Sequence, residues 1–270
     1  MPSRHEVVLL KLGGSLITDK ARPETARPRV IARLAEEIVQ ARERMHLPLI
    51  LGHGSGSFGH VAARRARLHR GAIEPSQAKG VGNTQGQAFE LHRRVVQALR
   101  EAGLAAFSVV PSSCLLADEG RPDRIWPEPL LAALELGMTP VAFGDVVMDH
   151  SWGASICSTE ALFLALVPAL ASRGVFVQRA VWLGETDGVL DLQGRPIAEI
   201  TLPEIPDLLS RLEGAAGTDV TGGIRHRLES AGALAQQGVG SWIGDGRQPG
   251  ILEAALLGTP GNGTRVLPGR

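Results

Sequence analysis

Residues 7–20, VVLLKLGGSLITDK, decide the fold class. An apolar run leads into Lys11, the glycines Gly13 and Gly14 follow, and Lys20 closes the stretch. A short apolar run bounded by Gly-Gly is typical of a buried strand that ends in a tight turn. Glycines have no Cβ, so their backbone N–H groups can approach an anion closely. The stretch therefore predicts a strand followed by a phosphate-binding loop; a strand that only ends in a glycine turn is the simpler alternative.

Lysine is rare in this chain, and its placement supports the phosphate-binding interpretation. Lysine occurs only at Lys11, Lys20 and Lys79, although the chain has 28 lysine and arginine residues in total. A compact ammonium group on a flexible stem suits a phosphoryl group that moves, whereas a planar guanidinium suits a fixed bidentate contact. Two of the three lysines flank the Gly-Gly turn, as a phosphoryl-transfer site requires.

Composition excludes several classes of function. The 270 residues are 44% hydrophobic, and 28 acidic residues balance 28 basic ones, so no strong field favours nucleic acid or an anionic membrane. Aromatic residues make up 4% and tyrosine is absent, which argues against base-stacking surfaces. Cys114 and Cys157 indicate no disulfide framework, and no metal-binding Cys/His spacing occurs. The N-terminal MPSRHEVVLL is too short for a signal peptide, so we expect a cytoplasmic protein without membrane spans.

Predicted strands and helices alternate along the whole chain. This alternation predicts an α/β fold with a mainly parallel sheet in one unit over residues 1–270. A segment without clear period, residues 71–82, predicts a loop, and residues 114–126 predict a hairpin around Asp118-Glu-Gly120. The predicted strands are residues 7–11, 47–51, 105–110, 139–143, 174–183, 241–243 and 264–267. The predicted helices are residues 27–45, one that follows the glycine loop at 52–60 and ends at about 69, residues 83–102, 128–136, 158–172, 203–212, 224–237 and a short one that ends at 257.

Polar and glycine-rich loops follow four of the predicted strands. They are residues 11–15, 53–60, 144–145 and 185–188, and a further glycine pair, Gly222 and Gly223, opens a predicted helix. Ligands of open α/β sheets bind beyond the carboxyl ends of the strands, and a helix N-terminus favours anions. Several anion-binding loops at one edge indicate a polyphosphate ligand beside a second phosphate-like group, and hence phosphoryl transfer.

The second loop also matches a dinucleotide-binding pattern. Residues 54–59 read Gly-Ser-Gly-Ser-Phe-Gly, which fits G-x-G-x-x-G between a strand and a helix. The loop follows the second strand, however, and the acidic residue expected about 20 positions later would be Glu74, which is not at a strand end. A nicotinamide or flavin enzyme would also leave Lys11 to Ser15 unexplained. The Walker motif is absent, and His53 stands where a serine-hydrolase elbow requires glycine.

The ordered set of motifs resembles the amino acid kinase superfamily and, within it, the isopentenyl phosphate kinases. The matching segments appear in the order of that family and cover most of the chain. The resemblance implies an open αβα sandwich, usually a homodimer, with an acceptor-binding lobe at residues 1–150 and an ATP-binding lobe at 151–270. It implies ATP and an isoprenoid phosphate as small-molecule substrates. The segments that carry the resemblance are residues 11–20, 53–60, 111–113, 144–149, 186–188 and 219–223.

The resemblance implies a role for each matched position. Lys20 would neutralise charge beside the γ-phosphate, and His60 would hydrogen-bond the acceptor phosphate, so Lys11, Lys20 and His60 are the catalytic candidates. Magnesium would be carried on the ATP phosphates, without a dedicated protein site. The residues implied for ATP binding are Lys11, Leu12, Gly13, Gly14, Ser15, Gly56, Asp187, Gly222, Gly223 and Arg227. Those implied for the acceptor are Gly54, Ser55, Gly59, His60, Asp145 and Gly153.

Each single position also has a plainer interpretation. His60 alone would fit a helix cap or surface residue, Asp145 a turn residue, and His53 a structural support for its loop. For the apolar tail of an acceptor, the sequence offers only Val81, Phe89, Val146 and Ile156 as candidates.

Three positions depart from the pattern of the family. Glu160 stands where the family often has the aspartate that organises the lysines, Glu185 replaces another aspartate, and Arg227 replaces the lysine of the nucleotide lobe. These changes bear on rate and nucleotide preference more than on the class of reaction. A kinase for another small phosphate or phosphonate, of the fosfomycin type, and a non-catalytic nucleotide-binding regulator are the alternatives that the sequence leaves open.

Overall fold

A computed structural model describes residues 5–68, 73–214, 221–259 and 261–269. Within these residues, an eight-stranded sheet with the order β10-β12-β11-β9-β1-β2-β6-β3 forms the centre of the molecule. All neighbouring strands in it are parallel except β11 and β12. The strands of this sheet are β1 (His5–Leu12), β2 (Leu49–His53), β3 (Ala106–Ser108), β6 (Thr139–Phe143), β9 (Val175–Gly184), β10 (Glu199–Ile200), β11 (Gly240–Asp245) and β12 (Thr264–Val266).

Helices cover both faces of the sheet. The strand β1 shows why, because its side chains alternate between two apolar layers: Val7 and Leu9 face one, and Val8 and Leu10 face the other. The first layer contains buried side chains of α6, α7 and α8, and the second those of α2, α4 and α9. The helices are α1 (Gly14–Ile17), α2 (Pro28–Arg44), α3 (Gly56–Ala66), α4 (Ala78–Glu101), α5 (Glu128–Glu135), α6 (Thr159–Ala171), α7 (Ile205–Gly214), α8 (Thr221–Gln236) and α9 (Ile251–Leu256). The predicted αβα sandwich with a mainly parallel sheet is confirmed.

A second, four-stranded sheet with the order β5-β4-β7-β8 lies beside the main sheet. The hairpin predicted over residues 114–126 supplies β4 (Leu115–Asp118) and β5 (Arg121–Ile125). The strands β7 (Asp145–Asp149) and β8 (Gly153–Cys157) form an antiparallel hairpin that the sequence does not predict. Asp149 holds the tip of this hairpin, since its carboxylate accepts the backbone N–H groups of Gly120, Ser151 and Trp152.

The prediction of a loop over residues 71–82 is wrong for its second half, because α4 begins at Ala78. Three glycines, at 80, 82 and 86, interrupt the helical spacing of apolar residues in the sequence. Gly80 serves helix packing: a Cβ on this residue would lie 2.8 Å from the Cβ of Ala66 in α3. The predicted helices at 27–45 and 158–172 are confirmed, and Ser158 caps α6 by accepting the N–H of Ala161.

Candidate active site

A cleft of about 520 Å³ opens where the carboxyl ends of β1, β2 and β9 meet the first turns of α3, α6 and α8. Its described walls carry glycines, hydroxyl groups and cations, which together suit an anionic ligand. The lining residues are Lys11, Gly13, Gly14, Ser15, Lys20, Gly54, Ser55, Gly56, Ser57, His60, Val61, Arg64, Gly144, Ile156, Ser158, Thr159, Glu160, Gly184, Gly223, His226 and Arg227.

The end of β1 carries a buried ion pair. The alternation of β1 turns Lys11 towards α6, where Nζ of Lys11 lies 2.5 Å from Oε1 of Glu160. Burial opposes ionisation of Glu160, but the charge and hydrogen bond of Lys11 outweigh it, so the pKa of this carboxyl group is lowered. Glu160 therefore provides the carboxylate that organises Lys11, and its extra methylene compared with aspartate still permits direct contact.

The two glycine loops touch each other through their backbones. A Cβ on Gly14 would lie 2.6 Å from the backbone nitrogen of Gly56, and a Cβ on Gly54 would lie 2.8 Å from that of Gly14. Thr18, which is fully buried, fixes this contact from behind. Its hydroxyl group donates to the carbonyl oxygen of Gly14 at 2.7 Å and accepts the N–H of Ser57 at 3.0 Å.

A pair of buried histidines supports the second loop. Nδ1 of His53 lies 3.1 Å from the carbonyl oxygen of Gly54, which can only accept, so Nδ1 carries the proton. Nε2 of His53 then accepts the Nδ1 proton of His92 across 3.1 Å. The ring of His92 stacks on Phe143 with 4.3 Å between ring centroids. His53 is therefore structural, as the sequence suggested, and its partner lies on α4.

His60 faces the cleft from the second turn of α3. The ring is exposed in the cleft, yet its surroundings still hold its pKa below the ordinary value. Desolvation contributes most to this shift, the charges of Arg64, Lys11 and Lys20 add to it, and Glu160 opposes it. At neutral pH the ring is uncharged and can donate one hydrogen bond. Lys20 is exposed and completes the cationic side of the cleft.

Arg227 enters the cleft from α8 and is 5% exposed. Nε donates to the carbonyl oxygen of Gly223 at 2.9 Å, and one terminal nitrogen donates to the hydroxyl of Thr186 at 3.2 Å. The other terminal nitrogen, Nη1, is buried without a hydrogen-bond partner among the described residues. Burial lowers the pKa of Arg227 to about 10, partly offset by Glu160 and other carboxylates, so the group is charged at neutral pH. A buried cation with an unused donor is suited to an anionic ligand.

Gly184 makes the approach of Arg227 possible. A Cβ on this glycine would lie 2.1 Å from Nη1 of Arg227. The neighbouring Glu185 accepts a 2.6 Å hydrogen bond from Arg27, so the glutamate at this departure from the family pattern is paired across the molecule.

An apolar cluster adjoins the cleft on the side of α3. Val146, Ala154, Ala63 and Leu68 are buried in it, and Val81 packs against them. Ile156 lines the cleft directly and is 40% exposed. Among the four residues offered for an apolar tail, only Phe89 takes no part in this cluster or the lining; its ring packs near His92 and Phe143 instead.

Most of the residues named from the sequence line the cleft. The exceptions are Leu12, Gly59, Asp145, Gly153 and Asp187, and the surroundings of Gly222 lie outside the described part of the structure. Leu12 is buried in the apolar layer beneath the loops, and Gly59 allows α3 to pack on Ser55, because a Cβ there would lie 2.2 Å from the hydroxyl oxygen.

The other three exceptions also have identifiable surroundings. Asp145 is buried and accepts the N–H groups of Ser112 and Val146, so it does not contact the lysines. Gly153 has φ of +77° at the turn of the β7–β8 hairpin. Asp187 accepts a hydrogen bond from Gln248 at 2.5 Å. Gly222 lies at the start of α8, and the motif residue Asp219 lies outside the described residues.

Sequence reasoning missed several residues of the cleft. Arg64 and Val61 follow His60 on α3, and the helical period could have placed Arg64 on the same face. Gly144 was found only as part of the loop at residues 144–145, and His226 carried no usable signal, because histidine occurs in many other settings. Ser158 and Thr159 were recognised only as a helix start.

The chain belongs to the amino acid kinase family, whose model matches residues 6–245. Among its relatives is the isopentenyl phosphate kinase of Methanothermobacter thermautotrophicus, which is 33% identical over 96% of this chain and 98% of the relative. That of Haloferax volcanii is 34% identical over 84% of this chain and 88% of the relative. A crystal structure of an isopentenyl phosphate kinase superimposes with a TM-score of 0.78 at 30% identity, covering 97% of this chain and all of the other.

Among residues 5–68, 73–214, 221–259 and 261–269, none of the helices has the length and apolar character of a membrane span. No group of three or more histidine, cysteine, aspartate or glutamate residues has the arrangement of a metal site in the part of the chain that the structure describes.

Proposed function

We propose that this chain is an ATP-dependent kinase that phosphorylates isopentenyl phosphate to isopentenyl diphosphate in isoprenoid biosynthesis. The carrying observation is that Lys11, Lys20 and His60 converge on one cleft beside two glycine loops that touch. Relatives with this activity, similar over nearly the whole chain, support the choice of acceptor.

The reaction needs alignment and charge stabilisation more than proton transfer. An oxygen of the acceptor phosphate attacks the γ-phosphorus of ATP. The bond between the γ-phosphorus and the oxygen that bridges it to the β-phosphorus breaks, and ADP leaves with the electron pair of that bond. A phosphate oxygen is already a nucleophile, so His60 only holds the acceptor by a hydrogen bond. Lys20 and Lys11 offset the charge of the transferring group, and Glu160 keeps Lys11 in place.

The nucleotide binds on the side of β1, β9 and α8. Gly14 and Ser15 present backbone N–H groups to the β- and γ-phosphates, together with Gly56. The N–H of Gly13 donates to the carbonyl oxygen of Leu183, so Gly13 serves this loop by allowing β9 to approach it. The unused donor of Arg227 serves the same phosphates. Leu12 supports this loop from below, and Gly222, Gly223 and Asp187 belong to the nucleotide side.

Magnesium would fit this site only as an ion coordinated by the phosphates of ATP. The described lining holds a single carboxylate, Glu160, and that group is bonded to Lys11. A magnesium ion keeps most of its water and binds through substrate phosphates, where it neutralises their charge. The residues of the chain therefore bind the phosphates and leave the ion to the nucleotide.

The acceptor binds on the side of α3. Gly54, Ser55 and His60 face its phosphate, Gly59 lets α3 approach Ser55, and Ile156 with the adjoining apolar cluster receives the tail. Asp145 and Gly153 act indirectly by shaping the β7–β8 hairpin. That hairpin carries Ile156, so we place the change from acceptor lobe to ATP lobe after Cys157 and not at residue 150. A cytoplasmic homodimer is the proposed form, by resemblance to the family.

Substitution of His60 tests the proposal. His60→Ala should lower kcat/KM for isopentenyl phosphate by about 2–4 kcal/mol of transition-state stabilisation, the loss typical of one preorganised donor. His60→Gln and His60→Asn should recover part of it, because a neutral amide can donate in place of the ring. ADP release, followed with isopentenyl phosphate, dimethylallyl phosphate, fosfomycin and a carboxylate acceptor, measures the effect. His46→Ala, an exposed histidine outside the cleft, is the control.

The acceptor panel separates the alternatives. Turnover of fosfomycin in preference to isopentenyl phosphate would replace the proposed substrate, and ATP binding without any turnover would indicate a regulator. Full activity of His60→Ala would show that the acceptor phosphate does not bind at α3. Loss of ATP binding in that variant would mean that the two lobes are exchanged.

A further inference from the structure

We propose that Arg64 binds the acceptor phosphate. This inference rests on the proposed function, which places the acceptor beside His60. Nothing in the motifs of the chain points to Arg64, since it lies beyond the last residue of the glycine loop.

Arg64 lies on α3, on the acceptor side of the cleft. Arg64 stands four residues after His60, so the two side chains share one face of the helix. Both line the cleft, and Val61 between them does so too. The elements on the nucleotide side, β9 and α8, supply Gly184 and Arg227 instead. A guanidinium on α3 is therefore placed for the acceptor.

The guanidinium of Arg64 is available to a ligand. Its only hydrogen bond among the described residues is a long one, 3.5 Å from Nε to the carbonyl oxygen of His60. No described carboxylate lies within ion-pair distance of it. Arg93 and Arg94, on the neighbouring α4, both pair with Glu90. Arg64 thus keeps both terminal nitrogens for a ligand, and two terminal donors match two phosphate oxygens.

The charges around the cleft also favour this role of Arg64. Lys11 is compensated by Glu160, so among the described lining residues Lys20 is the lysine without an ion-pair partner. Two phosphate groups must come together for transfer, and a second free cation on the acceptor side lowers their repulsion. Arg64 also makes the largest charge contribution at the His60 ring, which places its guanidinium near the group that holds the acceptor.

The test compares neighbouring arginines. Arg64→Ala should raise KM for isopentenyl phosphate roughly 10- to 100-fold, the range for losing a hydrogen bond between charged groups, with KM for ATP unchanged. Arg64→Lys should recover part of the loss. Arg65→Ala is the matched control, because Arg65 is exposed in the same last turn of α3 but is not among the lining residues. The melting temperatures of both alanine variants should match the wild type.

A second readout does not depend on activity. The pKa of the His60 ring, followed by NMR, should rise in Arg64→Ala because a nearby positive charge is removed, and should stay unchanged in Arg65→Ala. Equal KM values in the two alanine variants, or a loss confined to KM for ATP, would overturn the role of Arg64. Failure of the wild type to use isopentenyl phosphate would instead refute the proposed function. The Arg64→Ala and Arg65→Ala variants would then be compared on the acceptor that the panel identifies.

Discussion

Glu160 shows how one side chain can serve stability and chemistry together. It sits at the first turn of α6, and its charge is compensated by Lys11 within a buried pair. Lys11 is only 7% exposed, so without Glu160 its ammonium would lack both a partner and water. The same pair holds Nζ of Lys11 at the edge of the cleft.

We expect Glu160→Gln to destabilise the protein by about 3 kcal/mol, because it leaves a buried charge without its counter-charge. Urea unfolding at pH 7 measures this free energy. Glu90→Gln, which weakens a surface pair with Arg93 and Arg94, should cost less than about 1 kcal/mol and is the control. Glu160→Asp should retain part of the stability. Equal costs for the two glutamine variants would mean that the buried pair contributes nothing.

The phosphate loops belong to larger elements, and Thr18 joins them. One loop ends β1 and the other begins α3, and the side chain of Thr18 bonds to both. The contact between Gly14 and Gly56 is too close for any side chain, and the hydroxyl of Thr18 connects the two loops across it.

We expect Thr18→Val to raise KM for ATP and lower the free energy of unfolding by about 1–3 kcal/mol. Valine keeps the shape but leaves the N–H of Ser57 unpaired in a buried place, whereas the carbonyl oxygen of Gly14 still accepts the backbone N–H of residue 18. Thr18→Ser keeps the hydroxyl and should behave like the wild type in an ATP titration. A valine variant with normal KM for ATP would show that the bridge does not matter for the nucleotide.

The fold as a whole was largely accessible from the sequence, because alternating strands and helices leave few arrangements. Contacts between distant residues were not. Glu160 was matched to the lysine-organising position only through the family resemblance, because its partner Lys11 lies 149 positions away. His53 was recognised as structural without His92. The β7–β8 hairpin was missed, because its strands are short and follow a predicted strand directly. These features depend on packing between elements, which local patterns do not encode.

The buried histidine pair makes the whole molecule sensitive to acid. Burial, with a contribution from Lys11, lowers the pKa of His53 to about 4 in the folded protein, although the hydrogen bond to Gly54 opposes the shift. Burial, His53 and Arg100 lower the pKa of His92 to about 2. An unfolded histidine titrates near pH 6.5. Above that pH both states are neutral, and the stability is complete. As the pH falls from 6.5 towards 4, the unfolded chain takes up protons that the folded chain refuses, so stability is lost.

We expect His92→Gln to make the protein less sensitive to acid. The substitution removes one of the two titrating rings, while the amide N–H can still donate to Nε2 of His53. Each histidine that stays neutral contributes a slope of up to about 1.4 kcal/mol per pH unit, so the variant should lose less stability than the wild type between pH 6.5 and 5. Urea unfolding at four pH values from 7.5 to 5 measures the two slopes. His46→Gln, at an exposed histidine, should run parallel to the wild type. If His92→Gln also runs parallel, the acid sensitivity arises elsewhere, and the histidine pair serves only to hold the carbonyl of Gly54.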